Sequence, residues 1–431
     1  MNTKPHLIIE NLGPIKNCEI DLTKMIVLDG PQAAGKSTIA KAIFFFRTVK
    51  NLVLKNFFAG VSPIPALNTK DFLLKVFCQM FGDSYTWQND MFLTFDYGSN
   101  VRIEISNWKS NYTNREEKFK NHPIQFSDKI MEWFFKYNEK KVALNEKNFL
   151  LKELEDLFQD DKEIVYIPAG RSMLSILSES LSHIFFNFDD EQKNMIDYCT
   201  TDYINRVTKI KPVFKSPEKI IFADKDSKFN PEFLSLIREK MWKILQGQYK
   251  YLNGEEFLQL FDKDSKKIKI KFASSGQQEV LWILNLIYYY ILKQKPTCFI
   301  IEEPEAHLYP NSQKEIAEYI ALALSEKNNC VLTTHSPYIL GTLSNLLDAR
   351  RMMDEGYNMS RLLERENLIS TQLLKQSDFS AYFVSDGTMN NAVDDENGLI
   401  KNELIDGASD KINGFADDLM YLEREGKINV D

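Results

Sequence analysis

Near its N-terminus the chain reads Gly30-Pro31-Gln32-Ala33-Ala34-Gly35-Lys36-Ser37, followed by Thr38. This run has the spacing G-x-x-x-x-G-K-[ST] of a phosphate-binding loop, in which successive backbone N–H groups surround phosphates at the positive end of the next helix. In such a loop Lys36 would reach the β- and γ-phosphates of a nucleotide, and the Ser37 hydroxyl would bind Mg²⁺. The run therefore predicts a nucleotide site formed by residues 30–38.

The flanking sequence has the order that this motif requires. Residues 25–29, Met-Ile-Val-Leu-Asp, are typical of a short buried strand, and the apolar residues 39–49 are typical of a helix. A glycine-rich turn in front of an ordinary helix is the alternative, and the strand, loop and helix together make it the weaker one.

Composition excludes several classes of protein. The 431 residues suffice for two or three domains, and the 44% apolar content excludes a mainly disordered chain. The formal net charge of −8 excludes a general basic field for nucleic acid but leaves a local basic stripe open. The five cysteines are scattered and form no C-x-x-C pair, which argues against a disulfide framework and predicts a reducing, cytoplasmic location.

The sequence gives no sign of a membrane segment. The first ten residues lack the apolar core of a signal peptide. The longest apolar run, residues 280–292, is shorter than a bilayer span and contains Asn285, so we expect a buried helix there and no membrane partner.

Strand-like and helical segments alternate along the chain, which predicts an α/β fold. Short strands are expected at 6–10, 18–22, 25–28, 163–167, 266–272, 297–301 and 329–333, with a hairpin at 91–105. A mostly helical stretch separates this hairpin from residue 265. We therefore expect a core built from 1–106 and 265–345, a mostly helical insertion at 107–264, and a C-terminal extension at 346–431.

Two carboxylates end one of the predicted strands. Residues 299–301 are apolar and lead into Glu302-Glu303, the position where a nucleotide hydrolase places its Mg²⁺ ligand and the residue that orients the attacking water. Glu302 would then bind the metal and Glu303 would activate the water. Strand alternation points the two side chains to opposite sides, so one of them is open to a structural role. Glu305 is expected to be a solvated or interface residue.

Two further signals follow the same pattern. Ser274, Ser275, Gly276 and Gln277 lie at a junction between a strand and a helix, where free N–H groups and a hydroxyl meet the positive helix end. Alone this is an ordinary helix cap, but its place downstream of a phosphate-binding loop favours a nucleotide contact. His335 follows another predicted strand, thirty-two residues after Glu303, where its ring would sense the γ-phosphate. An ordinary capping or core histidine is the weaker alternative.

These four motifs, in this order, resemble the ABC-type ATPase heads of the SMC, RecF and OLD group, and in particular the stand-alone AAA-15 and AAA-21 ATPases. The resemblance covers roughly 1–106 and 265–345. It implies a P-loop NTPase that forms a head-to-head homodimer or higher homo-oligomer and binds ATP and Mg²⁺. Each ATP would lie between the phosphate-binding loop of one subunit and Ser274 to Gly276 of the other. His335 would be the switch histidine, and residues 306–310 would cross to the partner.

The chain departs from that family at three places. Gln32-Ala33 replaces the usual Asn-Gly, which makes a positive φ at residue 33 less favourable. Glu302 stands where many relatives have Asp. No Q-loop glutamine is found, because Pro168-Ala169-Gly170-Arg171 occupies that place. Arg171 would either sense nucleotide or partner or, the better-supported alternative, form a salt bridge.

The resemblance also suggests two settings. The first is a molecular switch that controls a separate effector, a nuclease or toxin, as in anti-phage systems of the AriA and PtuA types. The second is a RecF-like ATPase that clamps DNA. Basic runs at 206–219 and 263–271 would touch phosphates or form a solvated face, the commoner outcome. The C-terminal extension is too short for a metal-dependent nuclease domain, so a surface lid or a docking site is expected there.

Overall fold

The structure, a computed structural model, describes residues 4–59, 65–82, 90–106, 115–137, 146–174, 197–216, 231–261, 266–324, 327–407 and 413. Fourteen strands of these residues form three sheets, of six, five and three strands. The α/β class predicted from the alternating pattern is confirmed.

The six-stranded sheet is the centre of the molecule. It contains β3 (Met25–Asp29), β7 (Glu163–Ile167), β11 (Thr297–Glu302), β12 (Asn329–Thr333), β13 (Phe379–Ser385) and β14 (Thr388–Asn391). The strand order is β14-β13-β3-β12-β11-β7, and all neighbours are parallel except the β13–β14 hairpin. Each of the strands β3, β11 and β12 is almost entirely buried, as expected for a parallel sheet that is covered on both faces.

Successive side chains of the central strands pack into two separate hydrophobic cores, one on each face of the sheet. Val27, Ile301 and Leu332 face one core, whereas Ile26, Ile300 and Val331 face the other. A second sheet lies on the latter side and comprises β1 (His6–Leu12), β2 (Ile15–Asp21), β4 (Phe92–Gly98), β5 (Val101–Ser106) and β6 (Ile124–Phe126). It is antiparallel throughout, and it contains the predicted hairpin at 91–105.

Eleven α-helices are described in this part of the chain. They are α1 (Lys36–Ala59), α2 (Pro65–Phe81), α3 (Arg115–Lys120), α4 (Asp128–Tyr137), α5 (Lys147–Leu157), α6 (Tyr198–Ile210), α7 (Pro231–Leu245), α8 (Ser275–Leu292), α9 (Pro310–Ala323), α10 (Pro337–Asp354) and α11 (Ser360–Glu366). Helix α1 packs against the core that holds Ile26 and Val331, and α8, α9 and α10 pack against the other. The predicted apolar helix at 280–292 is the buried body of α8.

A third sheet lies within the stretch expected to be mostly helical. It comprises β8 (Gly247–Leu252), β9 (Glu255–Leu260) and β10 (Lys267–Lys269), all antiparallel. Its first turn is Asn253-Gly254, with φ of +52° and +82°, the pair of left-handed residues that a two-residue hairpin requires. The basic run at 263–271 lies partly outside the described residues; within it, Lys267 to Lys269 form β10 and residues 270–272 a 3₁₀ turn.

The C-terminal extension contributes to the central sheet. Strand β13 pairs in parallel with β3, with Phe379 opposite Met25 and Phe383 opposite Asp29. The stretch expected to be a lid or docking site beyond residue 345 thus supplies, at 379–391, two strands of the central sheet. Likewise β7, inside 107–264, pairs with β11. The acidic residues 414–431 lie outside the described residues.

Candidate functional site

The phosphate-binding loop leaves β3 at its carboxyl end and leads directly into α1. Ala33 adopts a φ of +62°, so this position takes the left-handed conformation although it is not glycine. A Cβ there costs free energy, which the surrounding fold must offset. The loop thus adopts a positive φ at residue 33 although alanine makes that conformation less favourable than glycine would.

Gly30 allows the C-terminal strand to approach the loop closely. Its φ is +139°, and a Cβ placed on it would lie 2.1 Å from the carbonyl oxygen of Val384 in β13. No side chain fits at that distance. The first glycine of the motif therefore serves the packing of β13 as well as the turn.

Lys36 folds back over the loop that it would share with a nucleotide. Its Nζ atom donates to the carbonyl oxygens of Gly30 (2.7 Å) and Pro31 (2.9 Å), and it lies 3.2 Å from Nδ1 of His335. Burial lowers the pKa of Lys36, and the charges of Asp29 and Glu303 oppose that shift. The ammonium group is thus positioned at the mouth of the loop by acceptors that a phosphate would replace.

An open cavity of about 340 Å³ lies over the loop. Predicted site residues line it, and the structure brings them together from three separate parts of the chain: Gln32, Ala33, Ala34, Gly35, Lys36, Ser37, Thr38, Glu303 and His335. Gly30 and Pro31 contribute through their carbonyl groups, which bind Lys36.

The cavity has walls that sequence reasoning missed. Lys41 lines it one turn of α1 after Ser37, and Nζ of Lys41 forms an ion pair with Asp197 at 3.1 Å. Ser37 and Lys41 are four residues apart in α1 and so lie on the same face of the helix, and this spacing could have predicted that Lys41 faces the cavity. The turn between β1 and β2, at Gly13-Pro14, and the end of α2 also line the cavity, and no local pattern points to them.

Glu302 and Glu303 lie in different surroundings although they are neighbours in the chain. Glu303 has a φ of +43°, so the chain leaves strand geometry at this residue. Its carboxylate lies 3.0 Å from Nε2 of His335, on the cavity side. Glu302 remains the last residue of β11, buried, with one oxygen accepting from the Ala169 N–H at 3.1 Å. Of the two glutamates, Glu302 is the one that could still have a purely structural role.

Glu305 is neither solvated nor free, in contrast to the expectation. One of its oxygens accepts from the Thr334 hydroxyl (2.8 Å) and from the backbone N–H of His335 (2.6 Å), while its second oxygen is buried without a hydrogen-bond partner. Burial raises the pKa of Glu305. This side chain therefore holds the backbone that presents His335. Its position two residues after Glu303 gave no indication of that role.

Arg171 is fully buried and connects three elements. Its guanidinium donates to the carbonyl oxygens of Pro168 (3.0 Å), Glu302 (2.7 Å), Glu303 (2.8 Å) and Glu279 (2.8 Å), and it lies 3.6 Å from the Glu279 carboxylate. The predicted salt bridge is confirmed. Arg171 is in addition the residue that fixes the end of β11 relative to α8.

Ser274 and Gln277 form a reciprocal cap at the start of α8. The Ser274 side chain accepts from the Gln277 N–H (3.3 Å), and the Gln277 side chain accepts from the Ser274 N–H (3.1 Å). Ser274 and Ser275 are exposed and do not line the cavity over the loop. A Cβ on Gly276 would lie 2.6 Å from the His307 carbonyl oxygen, so this turn packs against residues 306–310. Nucleotide binding by Ser274, Ser275, Gly276 and Gln277 stays a prediction.

The donor set fits a magnesium ion bound together with a nucleotide. Glu302 is buried beside the hydroxyl of Tyr166, whose pKa is raised first by burial and then by the charge of Glu302 and a side-chain hydrogen bond with it. A buried carboxylate at the end of β11 suits a metal or its water shell. Ser37 at the start of α1 offers the second oxygen. Among the described residues, no three His, Cys, Asp or Glu side chains gather as a metal site of their own.

Comparison with known families assigns the chain. The model of the AAA ATPase domain (AAA_15) matches residues 5–340, which is more than half of the protein. The chain belongs to this family. The AAA ATPase domain thus extends from β1 into α10, and it includes the loop, both strand-end carboxylates and His335. The predicted P-loop NTPase fold and ATPase activity are confirmed.

One curated relative and two solved structures are similar to this chain. The ATPase is 24% identical over 238 residues to the energy-coupling factor transporter ATP-binding protein EcfA1 of Clostridioides difficile, covering 52% of this chain and 79% of the relative. Its fold is similar to the SMC head domain of Thermotoga maritima (TM-score 0.34, 11% identity, 79% and 92% of the two chains). It is also similar to an Smc head bound to the C-terminal domain of ScpA from Pyrococcus furiosus (TM-score 0.40, 11% identity, 90% and 95%). The resemblance to ABC-type ATPases, read first from the motifs, is confirmed by the family and the relative.

Among the helices that the structure describes, none combines the length and the apolar character needed to cross a bilayer.

Proposed function

We propose that this ATPase is a molecular switch that forms a homodimer around two ATP molecules and controls a separate effector protein. The observation that carries the proposal is that one histidine contacts both the lysine of the phosphate-binding loop and the candidate general base. His335 lies 3.2 Å from the phosphate-binding Lys36 and 3.0 Å from the candidate base Glu303.

The two ring nitrogens of His335 have different hydrogen-bonding roles toward Lys36 and Glu303. When the Lys36 ammonium donates to Nδ1, that nitrogen is the acceptor of a neutral imidazole, and Nε2–H donates to the Glu303 carboxylate. Arrival of a γ-phosphate would draw Lys36 away from its carbonyl partners and from Nδ1. His335 would then be free to turn toward the phosphate and release Glu303 toward water. Nucleotide binding and activation of the base are coupled in this scheme.

Each residue has a separate task in hydrolysis. The backbone N–H groups of residues 32–38 bind the phosphates, and Lys36 neutralises the charge that develops on the γ-phosphate. Glu303 orients the water and accepts its proton. Ser37 and Glu302 would hold Mg²⁺, which supplies positive charge between the phosphate oxygens. Glu305 and Arg171 keep His335 and Glu303 in place.

The second half of each pocket would come from the other subunit. Ser274 and Ser275 are exposed at the positive end of α8 and lie outside the cavity of their own subunit. In a symmetric dimer the same surface serves both subunits, so two such pockets would form at once. The exposed rings of Phe272 (73%) and Tyr309 (73%) flank this surface and favour its burial against a second copy.

The effector and the biological setting rest on the resemblance to anti-phage ATPases of the AriA and PtuA types. We propose that closure of the dimer holds or releases a nuclease or toxin partner in the cytoplasm. Direct DNA clamping, as in RecF-like proteins, is the second candidate, and its observable sign is ATP-stimulated binding to duplex DNA that weakens with salt.

The catalytic assignment is tested with two variants. Lys36→Ala is expected to abolish ATP binding, whereas Glu303→Gln should bind ATP with unchanged affinity and lose at least about a hundredfold in turnover, the usual effect of removing a general base. Calorimetry measures binding and phosphate release measures turnover. Lys55→Ala, on the exposed face of the same helix α1, is the matched control. Wild-type turnover in the Glu303→Gln protein would refute the assignment.

The shared pocket is tested by mixing two inactive variants. A Lys36→Ala subunit keeps an intact Ser274 surface, and a Ser274→Arg subunit keeps an intact loop. If the pockets are shared, equal amounts of the two should form heterodimers with one complete pocket and recover roughly a quarter of wild-type turnover. Wild-type turnover by the Ser274→Arg protein alone would mean that each subunit works alone. No recovery in a mixture shown by co-purification of differently tagged subunits to contain heterodimers would also contradict the shared pocket.

A further inference from the structure

A second cavity, of about 190 Å³, lies between α8, α7 and β8. It is separate from the loop cavity, and the two share no lining residue. An apolar cavity of about 150 Å³ accommodates a benzene ring, so this one has room for a substituted aromatic ring.

Its walls are aromatic. Phe214, Tyr249 and Tyr288 line it, and the Phe214 ring lies 5.4 Å from that of Tyr249 and 6.5 Å from that of Tyr288. Trp242 and Tyr251 complete the wall from α7 and β8. Phe214 and Tyr249 are set edge to face, and Tyr288 is tilted relative to Phe214. Such rings offer flat surfaces on which a planar ligand packs well.

A polar group without a partner faces this aromatic space. Asn285 lies in the apolar helix α8 with none of its surface exposed, and both its amide nitrogen and its amide oxygen lack a hydrogen-bond partner. One turn earlier, the indole N–H of Trp282 is also buried and unpaired. Buried amides are nearly always hydrogen-bonded, so an unpaired donor and acceptor side by side indicate a ligand with the complementary pair.

The charges around the cavity have one sign. Lys215, Arg238 and Lys250 line it, and the described lining residues include no aspartate or glutamate. The Nε atom of Arg238 is buried without a partner. An anionic substituent on the ligand would be stabilised there.

We propose that this cavity is a second nucleotide site, in which the aromatic walls hold a nucleobase, Asn285 hydrogen-bonds the edge of the base and Arg238 binds its phosphate. An asparagine side chain pairs in two hydrogen bonds with the donor and acceptor of an adenine edge, so adenine is the expected base. Because Ser274 caps α8, a ligand against Asn285 would act on the helix that carries the proposed partner surface. The site is thus placed to regulate the switch.

The test uses the full chain with Lys36→Ala, so that the phosphate-binding loop takes no nucleotide. AMP, GMP, CMP and UMP are titrated by calorimetry, with adenosine as the probe that lacks the phosphate. AMP is expected to bind one per chain, at least about tenfold more tightly than adenosine. Adding Asn285→Leu should weaken AMP binding about tenfold or more, and Arg238→Gln should weaken AMP but not adenosine.

Two controls separate the site from general effects. Asn17→Leu on the exposed face of β2 and Arg350→Gln in α10 should leave AMP binding unchanged, and thermal melting shows whether each variant is folded. Absence of binding by all four monophosphates to the Lys36→Ala protein would overturn the proposal. So would equal AMP binding with and without Asn285→Leu, or equal binding of AMP and adenosine. None of these results depends on Glu303 or on dimerisation, so the proposed switch can fail independently.

Discussion

Two residues of the candidate catalytic site have backbone conformations that are unusual for residues other than glycine. Glu303 leaves strand geometry with a φ of +43°, and Ala33 takes a φ of +62° in the loop. For residues other than glycine, each such conformation costs about 1 kcal/mol or more, which surrounding bonds must offset. At Glu303 these are the bond from Arg171 to its carbonyl oxygen and the bond from its N–H to the Thr333 carbonyl.

Glu305 is expected to position His335, and its loss should slow turnover. Glu305→Ala removes the acceptor for the His335 N–H and the Thr334 hydroxyl, so we expect kcat to fall about tenfold with a small change in the affinity for ATP. Glu305→Gln keeps an acceptor oxygen and should restore most of the rate. Steady-state phosphate release measures both variants. Equal loss in the two would show that the charge matters and the hydrogen bond does not.

Lys70 should make stability depend on pH in the alkaline range. It is 2% exposed, it donates to Gln125, and burial lowers its pKa from 10.5 to about 8. Below pH 8 both the folded and unfolded states carry the charge, so its burial penalty is fully present. Between pH 8 and 10.5 the unfolded state binds more protons, and the penalty fades as pH rises.

The Lys70→Met variant removes this penalty. It should increase the free energy of unfolding by about 1–2 kcal/mol at pH 7, less than the shift alone implies, because contacts of the ammonium with Gln125 and with the Phe119 ring are lost. The gain should shrink by pH 10. Urea unfolding at the two pH values measures it. Lys75→Met, exposed on the same helix α2, is the control, and a gain independent of pH would contradict the assignment.

At the scale of elements, Arg171 joins the end of β11 to α8. It contacts the backbone of both strand-end glutamates and both the backbone and side chain of Glu279. Glu279 in turn accepts from the Ser172 hydroxyl at 2.6 Å. The candidate base and the helix that carries Ser274 are therefore held by one guanidinium group.

Arg171→Lys should weaken this connection without removing the charge. A single ammonium cannot replace the four carbonyl contacts of the guanidinium, so we expect the protein to lose about 2 kcal/mol of stability or more and kcat to fall further than ATP affinity. Chemical unfolding and phosphate release are the measurements. Arg350→Lys in α10, a surface ion pair with Asp354, is the control. An unchanged kcat would mean that Arg171 has a structural role alone.

Local sequence patterns predicted most of the core elements. They did not predict the contacts between residues that are far apart in the chain. The loop, β3, β11, β12 and α8 follow from local apolar runs and motif spacing. Asn253-Gly254 is a pair typical of a hairpin turn, but the hairpin was not predicted because the strands on either side of it contain charged residues. The left-handed Glu303 and the bonds of Glu305 and Arg171 arise from contacts with residues far along the chain, which no window of sequence contains.

At the scale of the whole molecule, the strand that carries the phosphate-binding loop lies between two strands from the C-terminal part. β3 pairs with β12 on one side and with β13 on the other. β13 also touches the loop at Gly30, and the Gly387 carbonyl accepts from the Lys16 N–H at 2.8 Å. Residues 379–391 are thus part of the ATPase core although the family match ends at residue 340.

Truncation separates this role from that of the acidic tail. A chain ending at residue 378 should expose one edge of β3 and lose solubility and ATP binding, because buried apolar residues such as Val384 disappear with β13. A chain ending at 407 should fold and hydrolyse ATP at the wild-type rate. Size-exclusion chromatography and calorimetry distinguish the two. A soluble, ATP-binding chain ending at 378 would contradict the arrangement.

The position of β13 beside β3 also has a consequence for how the protein is made. Both strands that flank β3 are synthesised hundreds of residues after the loop at 30–38. A nascent chain therefore carries an unfinished nucleotide pocket until β12 and β13 have left the ribosome, and it acquires the ability to bind ATP only then. Incomplete products of synthesis that lack β13 would therefore have no complete nucleotide site.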